Sequence, residues 1–325
     1  MIRYAWADST KETYGSGLLV FHTFCDLKGV PENQRTPASH ELISTFISTL
    51  AGTYAGSTIT NYVNAVHTWH TIHGLTWPLN TDETNALLKA AKLLAPASSK
   101  RPPREPYTMD IIAKIRNRLD LSDPVNAAIF ACLTTTFFAT AQTGEFTVSN
   151  LTSFNPLHHV TRNHMSTQHD RHGLKITNFH LPRTKAAPLG EDVNWAKQDG
   201  PTDSHSAIRN HFGINNPPNE AHIFAYRVKN GHCPLTCSKF LKTLKKAAKS
   251  AGISSLKGHG IRIGSTLKYL LHNIPFDVVK VKGRWASDAF LIYLRKHAQI
   301  LAPYMQAKPV LHESFLHFTI PPVRR

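Results

Sequence analysis

The sequence predicts a mainly α fold with a small antiparallel β-sheet (α+β), and three observations carry that reading. Apolar residues recur at three- and four-residue spacing along most of the chain. Between His158 and Pro188 the period shortens to two, in Leu174-Lys175-Ile176-Thr177. A basic, proline-rich stretch from Ala95 to Pro106 separates two helical regions. The expected organisation is a helical domain over 1–95, a linker over 96–106 and a larger domain over 107–325. With 325 residues, 41% of them hydrophobic and 18% charged, the chain has enough apolar material for two cores, which argues against disorder.

Four helices account for the first region. Ser9-Thr10-Lys11-Glu12 reads as a capping box ahead of the stripe Tyr14, Leu18, Phe21 and Cys25, with Gly29 as the stop. A second helix runs from Ser39 through Leu42, Phe46 and Leu50 to Gly52. The third starts near Ser57, presents Ile59, Val63 and Val66, and stops at Gly74; the fourth follows Asp82 with Leu87, Leu88 and Leu94. Ser57 and Asn61, at the start of the third, suit either phosphate contact or helix capping. The linker, with Lys100 and Arg101, reads as an extended connector because its prolines disfavour a helix.

Beyond it, Thr108 is an expected N-cap for Ile111, Ile112, Ile115 and Leu119, and Asp123-Pro124 opens the next helix. Val125 to Gly144 is uncharged but interrupted by Asn126, Thr134, Thr135, Thr136, Thr140 and Gln142, so it reads as a buried helix rather than a membrane span. A small antiparallel sheet follows. Helices return at Asp203 to Phe212, Cys237 to Ser250, the His259 segment and Ser287 to Leu301.

A formal net charge of +16 and a pI near 9.8 favour a polyanionic partner, nucleic acid foremost. Lys242, Lys245 and Lys246, with Lys239 and Lys249, flank the apolar seam Phe240, Leu241 and Leu244 and suit a phosphate-tracking face or a solvated one. Cys25, Cys132, Cys233 and Cys237 form no CxxC pair, which suits a reducing compartment. His232, Cys233 and Cys237 are a ligand short of a metal site, and the histidines between His158 and His180 show no ligand spacing, so no metal or cofactor is expected. The first residues contain no apolar signal region, so secretion is not expected.

The chemistry concentrates late in the chain: His259-Gly260-Ile261-Arg262, then Gly283-Arg284-Trp285, then Tyr293. A phenol is a nucleophile for a phosphodiester, a guanidinium steadies charge on the phosphoryl oxygens, and imidazole and indole N–H groups can donate to them. His259 and Arg262, three apart at an expected helix start, share a side.

In this order the residues resemble the tyrosine recombinases (phage integrases), most closely the eukaryotic transposon-encoded, Crypton-like branch. The similarity is densest over 258–305 and weaker elsewhere. It implies a SAM-like core-binding domain over 1–95 and an integrase-like catalytic domain over 107–325, clasping double-stranded DNA as a homo-oligomer in the nucleus. By the resemblance, Tyr293 attacks to give a 3′-phosphotyrosyl bond and Arg262 clamps a non-bridging oxygen. His259 and Trp285 donate hydrogen bonds, and Lys185, in a hairpin turn, protonates the departing 5′ oxygen.

One position departs from the family pattern. Its first catalytic arginine stands three residues before a supporting glutamate; with Glu145 as that glutamate, the place holds Gln142. An amide replaces a hydrogen bond but not a charge, and losing one such donor slows reactions on the order of 10²- to 10³-fold. Two readings follow: a recombinase that breaks and rejoins DNA, or a recombinase-derived protein that binds DNA without cutting it. A helical RNA-binding or scaffold protein is the third, allowed by charge alone.

Overall fold

The computed structural model describes residues 5–6, 8–77, 79–254 and 256–286, together with 291, 298, 300 and 302. The expected helix from Ser287 to Leu301, and Tyr293 with it, falls largely outside them. The chain divides into two compact units between Pro103 and Arg104.

The first unit holds α1 (Asp8–Leu27), α2 (His40–Leu50), α3 (Gly56–Ile72) and α4 (Thr81–Leu93). Phe21, Cys25, Phe46, Leu50, Ile59, Val63 and Val66, from the stripes anticipated by helical spacing, fill its core together with Phe24, Ile43 and Ile47, which were not singled out. Ser39, near which the second helix was expected to start, caps α2, its Oγ accepting from Leu42 N at 3.2 Å. The cap of α4 is Asn80, whose Oδ1 accepts from Asp82 N and Glu83 N. Two expectations shift. Helix α1 begins at Asp8, so Ser9 lies inside it, and the linker is not wholly extended, since Ala97–Ser99 form a 3-10 turn.

The second unit is organised on α6 (Pro124–Phe138), whose residues from Ala127 to Phe138 are all buried. Asp123 caps it, Oδ1 accepting from Asn126 N at 2.9 Å, and Pro124 occupies its first turn, where no amide hydrogen is needed. Around it pack α5 (Met109–Arg116), α7 (Ser204–Asn215), α8 (Cys237–Ser250) and α9 (His259–Leu271). No helix of the described residues is long and apolar enough to cross a membrane.

The antiparallel sheet has the order β1 (Met165–His169), β2 (Lys175–Leu181), β3 (Glu191–Ala196), with Phe179 paired to Met165 on one side and Val193 on the other. Phe179, Leu181, Val193 and Trp195 are buried in the core of the unit. Three short elements were not anticipated: the hairpin β4 (Tyr226–Val228) and β5 (Gly231–Cys233), and α10 (Phe276–Lys282) after α9.

Candidate phosphate-binding site

Helix α9 positions the His259–Arg262 pair. Gly258 precedes it without a side-chain cap; a Cβ there would lie 2.9 Å from Leu241 Cδ2 and 3.1 Å from Thr143 Oγ1, so a larger residue would have to displace the ends of those two side chains. Gly260 and Gly264 form a notch for the segment before α5: Tyr107 N donates to Gly260 O at 3.0 Å, and a Cβ on Gly264 would fall 1.8 Å from Tyr107 O. On the α6 side, Thr140 Oγ1 and Ser265 Oγ share a hydrogen bond at 2.8 Å, and Tyr269 Oη donates to Phe138 O at 2.8 Å.

Arg262 is 5% exposed. Its Nη2 donates to Gly283 O, and its guanidinium carbon lies 4.3 Å from the centroid of the Trp285 ring. Trp285 packs in turn on the buried Ile263, as does Phe276. His259 is solvent-exposed at the first turn of α9. Partial desolvation, then Arg104 and Arg262, hold its pKa below the ordinary imidazole value, so its neutral form dominates at pH 7.

Lys185 is exposed in the β2–β3 connection, beside a turn in which Thr184 N donates to Ala187 O at 3.0 Å and Ala187 N to Thr184 Oγ1 at 2.9 Å. From Thr184 a chain of polar contacts runs inward. Thr184 Oγ1 donates to Glu191 Oε1 at 2.5 Å, Arg284 Nη1 donates to the same oxygen at 2.6 Å, and Arg284 Nη2 donates to Glu145 Oε2 at 2.6 Å. Glu145 Oε2 also accepts from Gln142 N at 2.8 Å, while Gln142 itself is exposed. The Lys185 turn, the Gln142–Glu145 turn and the Gly283–Trp285 segment are therefore tied together, and the last of these holds Arg262.

Sequence reasoning passed over Arg284 and Glu191. Arg284 stood in the quoted Gly-Arg-Trp motif without a role, and its partners are 93 and 139 residues away in sequence, a pairing no local pattern announces. Lys282, also passed over, donates from Nζ to Asn194 O of β3 at 3.0 Å, and burial lowers its pKa to about 8.

The remaining expected DNA-contacting residues are surface groups. Ser57 and Asn61 are exposed on the first turns of α3, whose N-cap is Ala55, so Ser57 does not serve as the cap. Lys100 and Arg101 are exposed. On α8, Lys239, Lys242, Lys245, Lys246 and Lys249 face solvent while Phe240, Leu244, Ala247 and Ala248 are buried. His232, beside Cys233, is engaged with Asn215 O at 2.6 Å. The described residues contain no group of three His, Cys, Asp or Glu side chains placed to hold a metal ion.

A buried guanidinium, Arg262, and a part-buried one, Arg284, meet at the Gly283–Trp285 segment, which Glu191 and Thr184 connect to the turn of the exposed Lys185; guanidiniums of this kind suit a tetrahedral oxyanion. No family model matches the chain, and no curated protein matches it in sequence. Solved structures do resemble it. The XerH site-specific recombinase bound to palindromic difH substrate, a post-cleavage complex, matches with a TM-score of 0.59 at 15% identity, over 94% of this chain and 78% of that one. A lambda integrase (75-356) dimer bound to a COC′ core site matches with a TM-score of 0.51 at 14% identity, over 90% of each chain. The chain thus has the integrase-like α+β fold of these two recombinases.

Proposed function

We propose that this protein is a DNA-binding tyrosine recombinase that breaks and rejoins duplex DNA through a 3′-phosphotyrosyl intermediate at Tyr293. The observation that carries the reading is Arg262, buried on α9 under Trp285 and bonded to Gly283 O, in a unit whose Lys185 and Glu145 turns are tied to the same segment. The integrase-like fold and the charge of +16 support it, as do the DNA-bound states of the two similar structures. Arg262 clamps a non-bridging oxygen, neutral His259 takes the phenol proton, and Lys185 protonates the 5′ oxygen. Ser57, Asn61, Lys100, Arg101, Lys242, Lys245 and Lys246 contact backbone phosphates on either side. Homo-oligomeric assembly on DNA, transposon ancestry of the Crypton-like type and nuclear residence belong to the same proposal and rest on the sequence resemblance.

A nicked duplex that loses its short 5′ fragment on cleavage traps the intermediate. The expected outcome is a covalent protein–DNA adduct with the wild-type chain and none with Tyr293→Phe; an adduct that persists in Tyr293→Phe removes Tyr293 as the nucleophile. A second reading, DNA binding without cleavage, is favoured by the neutral side chain at Gln142. Its signature is duplex binding at low salt without adduct, with cleavage gained in Gln142→Arg.

A further inference from the structure

We propose that Arg284 supplies the second phosphate-gripping guanidinium of this site, doing from the Gly283–Trp285 segment what Gln142 cannot. The proposal rests on the strand-cleavage reading above and deepens it. The chemical need is general. When the Tyr293 oxygen bonds to phosphorus, the non-bridging oxygens of the phosphorane share two negative charges, and one guanidinium matches one of them. The P–O5′ bond then breaks, the phenol proton passes to His259, and the 5′ oxygen takes a proton from Lys185, so atoms and charge balance without a further reactant.

Four observations place Arg284 in that role. Its Nη2 and the backbone N–H of Gln142 donate to one oxygen, Glu145 Oε2, so the guanidinium lies beside the backbone of the residue that lacks one. Its two chain neighbours are the residues that hold Arg262, Gly283 through its carbonyl and Trp285 through its ring. Glu191, its other partner, also takes the hydroxyl of Thr184, next to Lys185. Finally, Arg284 has a backbone φ of +57°, a region that disfavours residues with a Cβ. A guanidinium has five N–H donors, and the two carboxylates take one each from Nη1 and Nη2; the second N–H on each of those nitrogens remains, on a side chain that keeps 13% of its exposure, while Nε is buried away from any ligand. Donor capacity for an anion remains, and the carboxylates fix the plane from which it is offered.

The test compares wild type, Arg284→Lys, Gln142→Arg and the double variant on a pool of nicked duplexes of randomised sequence. Adduct is read on denaturing gels and duplex binding at low salt. Lysine keeps a charge between Glu145 and Glu191, and an unchanged urea midpoint verifies the fold. Arg284→Lys is expected to slow adduct formation on the order of 10²- to 10³-fold while duplex binding persists. Adding Gln142→Arg is expected to restore most of the rate, which a purely structural role for Arg284 does not provide. Adduct formation at the wild-type rate in Arg284→Lys overturns the proposal, as does failure of the double variant to recover. A wild-type chain that binds duplex but forms no adduct removes the strand-cleavage reading, and the proposal with it, and leaves DNA binding standing; a wild-type chain that forms adduct while Arg284→Lys matches its rate overturns the proposal alone.

Discussion

At the scale of single residues, the segment Gly283-Arg284-Trp285 shows how local backbone chemistry sets a site. A Cβ on Gly283 would lie 1.7 Å from Cζ3 of Trp285, because the indole folds back over its own chain to cover Arg262. Gly283→Ala must therefore move the ring or the helix end. The expected outcome is a loss of about 1–3 kcal/mol in urea unfolding, with a changed near-ultraviolet spectrum as the indole leaves the guanidinium. Gly144→Ala is the control: nothing lies within 4 Å of its Cβ position, and it is expected to stay within about 0.5 kcal/mol of wild type. Equal midpoints for the two variants contradict the packing of Trp285 on Arg262. At this scale the sequence exposed the parts of the site unevenly. Lys185 falls in the β2–β3 connection, the hairpin turn that the family resemblance implied for it. The importance of Arg284 depends on carboxylates brought to it by tertiary folding, and only the fold could reveal it.

Among elements, caps and periodicity were legible because they are local. Thr108 and Asp123 each accept from an amide in the first turn of the helix that follows, as read; Ser39, Asp203 and Thr236 do the same without having been singled out as caps, and α8 spans Cys237–Ser250 as its spacing indicated. The strands β4 and β5, three residues each, and the seven-residue α10 are too short for a period to register. The packing of α9 was also invisible from composition. Gly260 and Gly264 could have been a weak point in a helix, yet they admit the backbone of Glu105 and Tyr107, and Tyr107 is 1% exposed. A Cβ at Gly264 meets a carbonyl oxygen rather than a flexible side chain, so no rotamer relieves the clash. Gly264→Ala is expected to destabilise the second unit by about 3 kcal/mol. Hydrogen exchange at the Tyr107 amide should accelerate, since its bond to Gly260 O breaks. An unchanged Tyr107 amide in that variant counts against the notch.

For the whole molecule, His70, His211 and His222 are the fully buried histidines among the described residues. His211 Nε2 donates to Ile223 O at 2.9 Å and Nδ1 accepts from Asn215 Nδ2 at 2.9 Å, while His222 Nδ1 accepts from Phe224 N at 3.2 Å. Neither ring can add a proton without losing an accepted bond inside the core. Desolvation, reinforced by neighbouring cationic or imidazole groups, lowers their pKa values to about 4 and about 3. His70, in the first unit, accepts from Ala38 N and is lowered in the same direction, again chiefly by desolvation. A histidine with a depressed folded pKa stabilises fully above its unfolded value, near 6.5, and loses that stability as pH falls through the interval below it. Each such ring contributes a slope of roughly 1.4 kcal/mol per pH unit, so His211 and His222 together remove about 5 kcal/mol between pH 6.5 and 4.5. That is comparable to the whole stability of a typical domain. Urea unfolding of the full chain at pH 7, 5.5 and 4.5 is expected to show a steep fall in the midpoint of the 104–325 unit. His222→Gln, which can still accept from Phe224 N but cannot titrate, is expected to flatten the fall by about one proton's worth. A midpoint independent of pH over that range, or an unchanged slope in His222→Gln, shows that these rings are not held neutral in the core.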